Sequence, residues 1–326
     1  MARIAFFGSP DFACTILNSL HTYSQHAKHQ IALVVCQPDR PRGRGQHLHA
    51  PAVKTLAQSY NLPIAQPNAL KPDTVAGQAF LTFFRRCNID LAVVASYGRI
   101  IPQALLDVPE HGFINVHASL LPRWRGASPI QRALQAGDAR TGVSIMRMTF
   151  QLDAGDVYSQ HELPILPHHD VDSLQQDLAL LACQVLPGAL QHILTGTLKP
   201  IPQPFKGVTY APLLTKKDGH IHFAQPAQAV VNHTRAMHPW PGVYVQHKTT
   251  RLRLCRAQVK SQELSQKCAP GTVVQVTDGL VVATQPGSVL FQHAQLPGKR
   301  MLPIRDLCNG YPLHPGDVLV PLHTQS

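Results

Sequence analysis

Arg3-Ile4-Ala5-Phe6-Phe7-Gly8-Ser9-Pro10-Asp11 begins the chain with an apolar run and a turn, and Ile31-Ala32-Leu33-Val34-Val35-Cys36 supplies a second run without a polar break. Between them Asp11 to Leu20 has helical apolar spacing, with Asp11 or Ser9 as the expected cap. Strand, helix and strand, with both strands apolar throughout, form the unit of a parallel sheet covered on both faces. The alternation continues. Helices are predicted over 51–60, 73–87 and 128–135, a short extended piece over 63–66, and strands over 90–96, 113–117, 143–148 and 157–165. A long apolar-periodic segment, 170–194, is expected to be interrupted at Pro187 and to close the domain. The fold class that follows is α/β with a doubly wound sheet.

After Gly196, the stretch Leu198-Lys199-Pro200-Ile201-Pro202-Gln203-Pro204-Phe205 holds three prolines in five residues and reads as a stiff, extended connector. The expected division is therefore a catalytic domain over 1–197, a proline-rich linker over 198–212 and a C-terminal domain over 213–326. In that last part a helix is predicted over 226–237. Short strands follow over 243–246, 251–259, 271–276, 280–283 and 288–296, separated by Gly and Pro turns, which suggests a small β-barrel.

Composition narrows the class. The chain has 326 residues, about two domains' worth, and a net charge of +11. The excess is uneven: residues before Thr197 include 15 basic and 13 acidic side chains, those from Thr197 onward 14 and 5. A polyanion meeting the second half would explain this. There is no uninterrupted apolar run of 18 residues, so no membrane span is expected. The seven cysteines are odd in number and contain no C-x-x-C pair, which argues against both a disulfide scaffold and a zinc knuckle and points to a reducing cytoplasm.

The first strand-to-helix turn, Gly8-Ser9-Pro10-Asp11, is not G-x-G-x-x-G. Gly43-Arg44-Gly45 lies in a Pro-rich loop, and there is no Walker loop, so no nucleotide cofactor is expected. Asn115-Val116-His117 is more telling, because residues i and i+2 of a strand share a face, here near the end where open α/β sheets place their ligands. Asp153, in Leu152-Asp153-Ala154-Gly155-Asp156, could reach His117 if neighbouring loops converge, with Asp156 as the competing acid. No Ser or Cys is placed for a covalent triad. An amide, an imidazole and a carboxylate can instead stabilise an oxyanion and manage a proton on an attacking amine, which fits direct acyl transfer. The histidine pairs at 47 and 49, 168 and 169, and 220 and 222 lack metal-site spacing, so no metal is expected.

Arg40, Arg42, Arg44 and Lys54 against Asp39 make the 38–54 segment basic, which suits phosphate contacts. Arg123-Trp124-Arg125 offers an aromatic between two cations. In the second part Lys216, Lys217, Lys248, Arg251, Arg253 and Arg256 cluster on predicted strands and loops, and Arg251 and Arg253 share a face.

Gln37-Pro38-Asp39-Arg40-Pro41 with Gly43-Arg44-Gly45, then Asn115-Val116-His117-Ala118-Ser119-Leu120-Leu121-Pro122-Arg123-Trp124-Arg125-Gly126, then Leu152-Asp153-Ala154-Gly155-Asp156 and Pro239-Trp240-Pro241, resemble the methionyl-tRNA formyltransferases, in order and over nearly the whole chain. The resemblance implies a Rossmann-like formyltransferase domain, a linker and an OB-like barrel. It implies transfer of a formyl group from 10-formyltetrahydrofolate to the α-amine of methionyl initiator tRNA, by a monomer in the cytoplasm. Its catalytic residues fall on Asn115, His117 and Asp153. The mechanism expected from these residues has Asn115 and His117 stabilising the oxyanion while Asp153 holds and tunes the histidine and aids proton removal, with His117 acting chiefly either as base or as oxyanion donor. Its folate site falls on Ser119, Leu120, Leu121 and Pro122. Its acceptor-stem loop falls on 38–50, with Arg40, Arg42 and Arg44. The sequence departs from the family at Ala118, Ser128, Ala154 and His238, and carries Gln46 and His47 where lysines are common. Two other readings compete: a sugar-nucleotide N-formyltransferase, which leaves the basic loop unexplained, and a non-catalytic RNA-binding module, which leaves the Asn, His and Asp set unexplained.

Overall fold

A computed structural model describes residues 1–42, 47–261 and 268–322, and the chain divides into two compact units. The first comprises 1–129, 140–164 and 175–211; the second comprises 130–139, 165–174 and 212–326.

The first unit is built on a seven-stranded sheet. In chain order the elements up to residue 211 are β1 (Arg3–Gly8), α1 (Asp11–His26), β2 (Gln30–Val35), the hairpin strands β3 (Arg40–Arg42) and β4 (His47–His49), α2 (Ala52–Ser59), β5 (Ile64–Ala65), α3 (Val75–Arg86), β6 (Leu91–Ala95), α4 (Gln103–Leu106), β7 (Phe113–His117), β8 (Arg125–Gly126), α5 (Pro129–Ala136), β9 (Arg140–Arg147), β10 (Val157–Pro164), α6 (Val171–Leu194) and β11 (Tyr210–Ala211), of which α5 and the first turn of α6 fall in the second unit. The sheet order is β10-β9-β7-β6-β1-β2-β5. Strands β5, β2, β1, β6 and β7 run parallel, whereas β9 is antiparallel to β7 and β10 to β9. The chain reverses its direction of winding between β1 and β6, the switch point where such sheets bind ligands. This is a Rossmann-like, doubly wound domain with an antiparallel margin.

The central strands β1, β2 and β6 are apolar apart from an end residue because both faces are covered there. Ile4, Ala5, Phe6 and Phe7 are all fully buried. Phe7 meets Phe84 of α3, Tyr97 and Phe113 with ring centroids 5.8, 5.4 and 5.2 Å apart, contacts worth about 0.5–1.5 kcal/mol each beyond area burial.

Two local expectations are corrected. Helix α1 has no side-chain cap: Pro10 takes the cap position and the Ser9 hydroxyl accepts from the Gln37 N–H at 3.2 Å instead. Helix α6 is not interrupted at Pro187. Proline at 187 deprives the Cys183 carbonyl of its helical donor, and the Ser19 hydroxyl of α1 donates to that carbonyl at 3.2 Å. The orphaned acceptor is satisfied from a neighbouring helix, so the helix runs on. By length and composition α6 could cross a membrane, but its stripe of Leu174, Leu178, Ala182, Leu186 and Leu190 is buried in the protein.

The second unit contains a 3-10 turn (Lys216–Gly219), α7 (Ala227–Ala236), β12 (Val243–His247), β13 (Thr250–Ser261), β14 (Val273–Val276), β15 (Leu280–Ala283), β16 (Ser288–Gln295), β17 (Leu302–Pro303), α8 (Ile304–Cys308) and β18 (Leu319–Pro321). Its antiparallel sheet has the order β14-β15-β16-β13-β12-β18, with β17 paired to β16. At one corner the two ends of this path meet: Thr272 and Val318 form a bridge, and the Val273 N–H donates to the Asp317 carbonyl at 2.8 Å. The sheet is thus curled into a partly closed barrel. Along β12 and β13, Val243, Val245, Leu252 and Leu254 point inward, leaving Tyr244, Arg251 and Arg253 on the outer face.

Candidate active site

Asn115 and His117 project from one face of β7, as their spacing requires, and the carboxylate of Asp153 lies between them. The Asn115 amide donates to Asp153 Oδ1 at 3.3 Å, and His117 Nδ1 stands 3.7 Å from Asp153 Oδ2. The Gly126 N–H donates to the same Oδ2 at 2.8 Å. His117 Nε2 lies 2.9 Å from the Trp124 carbonyl. A carbonyl only accepts, so Nε2 carries the hydrogen and Nδ1 of the neutral ring holds a lone pair facing the carboxylate side. His117 is buried, and Asp153 and Asn115 are partly buried. Desolvation strengthens any charge that develops there.

Asp153 arrives by a route the sequence does not suggest. Because β9 is antiparallel to β7, with Ile114 opposite Arg147 and His117 opposite Ser144, the loop leaving β9 emerges where β7 begins rather than where it ends. The turn over 149–156 folds back across the sheet face to present its acid. Asp153 itself adopts φ +46°, a left-handed conformation costly for a residue with a Cβ. Trp124, whose carbonyl faces His117, is also left-handed at φ +62°. Asp156, the competing acid, instead gives its carbonyl to the Arg147 N–H at 2.8 Å.

The 119–122 segment is braced from below. Ser144 Oγ donates to the Ser119 carbonyl at 2.6 Å and accepts from the Leu121 N–H at 3.1 Å, while the Gln160 amide donates to the Leu121 carbonyl at 2.7 Å. Ser119 and Leu121 are buried, and the Ser119 hydroxyl is turned to the Arg123 carbonyl at 2.7 Å. Leu120 and Pro122 remain half-exposed.

The basic segment after β2 forms a hairpin rather than a plain loop, pairing Arg40 with His49 and Arg42 with His47 through the backbone. Arg40 is exposed; of Arg42 only the backbone is described, and Arg44 and Gln46 lie outside the described residues. Lys54 is not a free cation: it pairs with Asp39 at 2.7 Å. The hydrogen bond from Gln66, and then that from Lys54, hold the Asp39 carboxyl below the usual carboxylate range. Gln37 reaches from the end of β2 to the Tyr97 carbonyl at 2.8 Å, spanning the switch point. In the second unit Arg251 stacks on Tyr244, 3.7 Å from its ring centroid, beside Arg253 in a surface cavity of about 280 Å³. Among the described residues no group of three or more His, Cys, Asp or Glu side chains has metal-binding geometry.

Several contributors were invisible to sequence reasoning. The Gly126 N–H and the Trp124 carbonyl are backbone groups, and their only signal is the turn-forming Trp-Arg-Gly stretch. The proline-rich segment is not a free connector. Tyr210 and Ala211 pair in parallel with Arg125 and Gly126, and the Thr209 hydroxyl accepts from the Trp124 N–H at 2.9 Å. Gly126 has φ +124°, and a Cβ there would stand 2.5 Å from the Ala211 carbonyl oxygen, so both conformation and approach demand glycine.

Residues 2–190 match the formyl transferase family model and 213–312 the formyl transferase C-terminal domain. A methionyl-tRNA formyltransferase from Moorella thermoacetica is 39% identical over 318 residues, spanning 97% of this chain and 99% of that one. Its counterpart from Chromohalobacter salexigens is 42% identical over 311 residues, spanning 94% and 93%. Among solved structures, an N-formyltransferase from Helicobacter canadensis in complex with folinic acid and dTDP-3-aminofucose shares the fold, with a TM-score of 0.65 at 13% identity over 89% of this chain and 99% of that one.

Proposed function

This chain belongs to the formyl transferase family and, within it, to the methionyl-tRNA formyltransferases, and from that premise we propose how its own residues carry the reaction. The protein transfers the formyl group of 10-formyltetrahydrofolate to the α-amine of methionine on initiator tRNA. The amine nitrogen attacks the formyl carbon, and the carbonyl electrons move to oxygen. Collapse of the tetrahedral intermediate breaks the bond to N10 of the folate, which leaves with a proton, while the attacking nitrogen loses one.

The observation that carries this reading is the Asn115, Asp153 and His117 arrangement in a chain of this family. Asn115 uses one amide hydrogen on Asp153, and the other is available to an oxyanion. With Nε2–H engaged by Trp124, Nδ1 is the atom that takes the amine proton, and Asp153 stabilises the imidazolium so formed. This gives His117 a proton-accepting role, with oxyanion stabilisation resting on Asn115. The half-exposed Leu120 and Pro122, with Ser119 and Leu121 shaping the backbone beneath them, form the folate-facing segment. The donor set at this site, an amide, an imidazole and one carboxylate, suits acyl transfer without a metal or a nucleotide cofactor. In this reading the protein is a cytoplasmic monomer with no membrane partner; seven free thiols support the compartment.

Initiator tRNA is held by phosphate contacts from Arg40 and Arg42 on the hairpin, from Arg44 of the same segment and from the basic barrel face. Support for the latter is local: in the second unit Asp218 is paired with Arg132 and Asp317 with His247 and Lys248, whereas Arg251 and Arg253 line an open cavity. Arg40→Ala and Arg251→Ala should each weaken tRNA binding at moderate salt and lower the log–log salt slope by about 1. Binding of the folate donor should not change. Binding isotherms across a salt series check this, and slopes equal to the parent's would contradict it.

A further inference from the structure

We infer that Gln203, in the proline-rich segment, is a positioning residue for formyl transfer: its side-chain amide clamps the Asp153 turn and ties it to Arg125. The inference rests on the reaction assigned above. Gln203 Nε2 donates to the Asp153 carbonyl at 2.8 Å and to the Gly155 carbonyl at 2.7 Å. Its Oε1 accepts from Arg125 Nη2 at 2.8 Å and Nε at 3.1 Å. Both amide hydrogens and the oxygen are therefore committed, which is the full capacity of this side chain for a two-sided bridge.

What the amide joins is telling. One side is the turn that carries the left-handed Asp153; the other is the residue following the left-handed Trp124, whose carbonyl faces His117. Non-glycine residues hold such conformations only where surrounding contacts over-determine them. The segment is itself fixed on both sides of Gln203. Ile201 and Val157 exchange backbone hydrogen bonds at 2.8 and 2.9 Å, and Thr209 receives the Trp124 and Arg125 N–H groups. Pro202 and Pro204 flank Gln203 and restrict the backbone around it to extended conformations, so the point from which the side chain reaches out is fixed. The proline-rich stretch thus works as a strap that sets the spacing of the two loops meeting at His117.

The test uses Gln203→Glu, which keeps length and the acceptor for Arg125 but replaces both donated hydrogen bonds with a carboxylate facing two carbonyls. The full-length protein with this change should lose about 10- to 100-fold in kcat while KM for the folate donor and for methionyl initiator tRNA stays within about threefold of the parent's. In an Asp153→Asn background the same change should cost less than twofold, because the clamp acts through Asp153. The NMR chemical shifts of the His117 ring and the Gly126 amide, read without any substrate, should also move, since both face the Asp153 carboxylate that the clamp holds. A parent-like kcat, a loss confined to KM, a full additional loss in the Asp153→Asn background or unmoved His117 and Gly126 shifts would each overturn the clamp. If Gln203→Glu does not fold, Arg125→Lys loosens the other arm and should still lower kcat at constant KM; an unchanged kcat there would overturn it equally. A parent protein with no transfer at all would instead overturn the assigned reaction, and the His117 and Gly126 chemical shifts would still decide the clamp.

Discussion

Replacing His117 by alanine should lower kcat for formyl transfer by about 10²- to 10⁴-fold, the span expected for loss of a positioned proton acceptor, with little change in KM for either substrate. The direction follows from the ring's two contacts. Nε2–H is spent on the Trp124 carbonyl, which fixes the ring, and Nδ1 is left beside Asp153 Oδ2 to take the proton the attacking amine must lose. Without the ring, the amine's proton has only water as its destination, in a site where His117 is 5% exposed and water access is poor. Steady-state kinetics with a thermal melt as a folding control checks this. A folded His117→Ala protein with parent-like kcat would remove the proton-transfer role.

Gly155→Ala should cost about 10² in kcat although residue 155 touches no substrate in this account. A Cβ at this position would stand 1.9 Å from the Arg147 carbonyl oxygen and 3.2 Å from Thr149 Cγ2. Backbone, not a flexible side-chain tip, is in the way, so the turn must shift. The Gly155 carbonyl is also one of the two acceptors for Gln203, and Asp153 lies two residues earlier in the same turn. A displacement of roughly 1 Å at a catalytic group is enough for a hundredfold loss, and the strain of a small-to-large change adds about 1–3 kcal/mol of destabilisation. Measuring kcat below the melting transition separates the two effects. A stable Gly155→Ala protein at parent-like kcat would mean that the carboxylate does not need its present position.

How far these features could be read in advance differs with their physical origin. The continuous apolar runs at 4–7, 31–36 and 91–95 predict buried parallel strands because both faces of that sheet are covered, and β1, β2 and β6 lie there within a residue or two. Asn115 and His117 were legible for a similarly local reason: strand periodicity alone puts them on one face. The run at 143–148 carries no such directional information, since an apolar strand reads alike whether parallel or antiparallel. The reversal of β9, and with it the folded-back path of Asp153, therefore depends on tertiary pairing. Pro187 reads as a helix break because its remedy, the Ser19 hydroxyl, lies far away in the chain. The strap was hidden for the same reason. Three prolines announce an extended segment but not what it will be hydrogen-bonded to, and Gln203 looks unremarkable until its partners at 125, 153 and 155 are brought together by the fold.

Charge shows the same division. The local count of basic side chains on 38–54 includes Lys54, which the fold commits to Asp39, so the proposed phosphate contacts of this segment rest on its arginines. In the second unit the fold works in the opposite sense. Of the few acids there, Asp218 and Asp317 are already engaged, while Arg251 and Arg253 stay beside an open cavity.

The central claim is that the Asn115, His117 and Asp153 site delivers a formyl group to the methionyl amine of initiator tRNA. The most direct measurement supplies 10-formyltetrahydrofolate with methionyl initiator tRNA, methionyl elongator tRNA or a dTDP-amino sugar, and follows where the formyl group goes. The account predicts formylmethionine on the initiator tRNA, at a rate well above the other two acceptors and abolished by His117→Ala. Transfer to the amino sugar in preference to the tRNA, or transfer to tRNA that survives loss of His117, would contradict it.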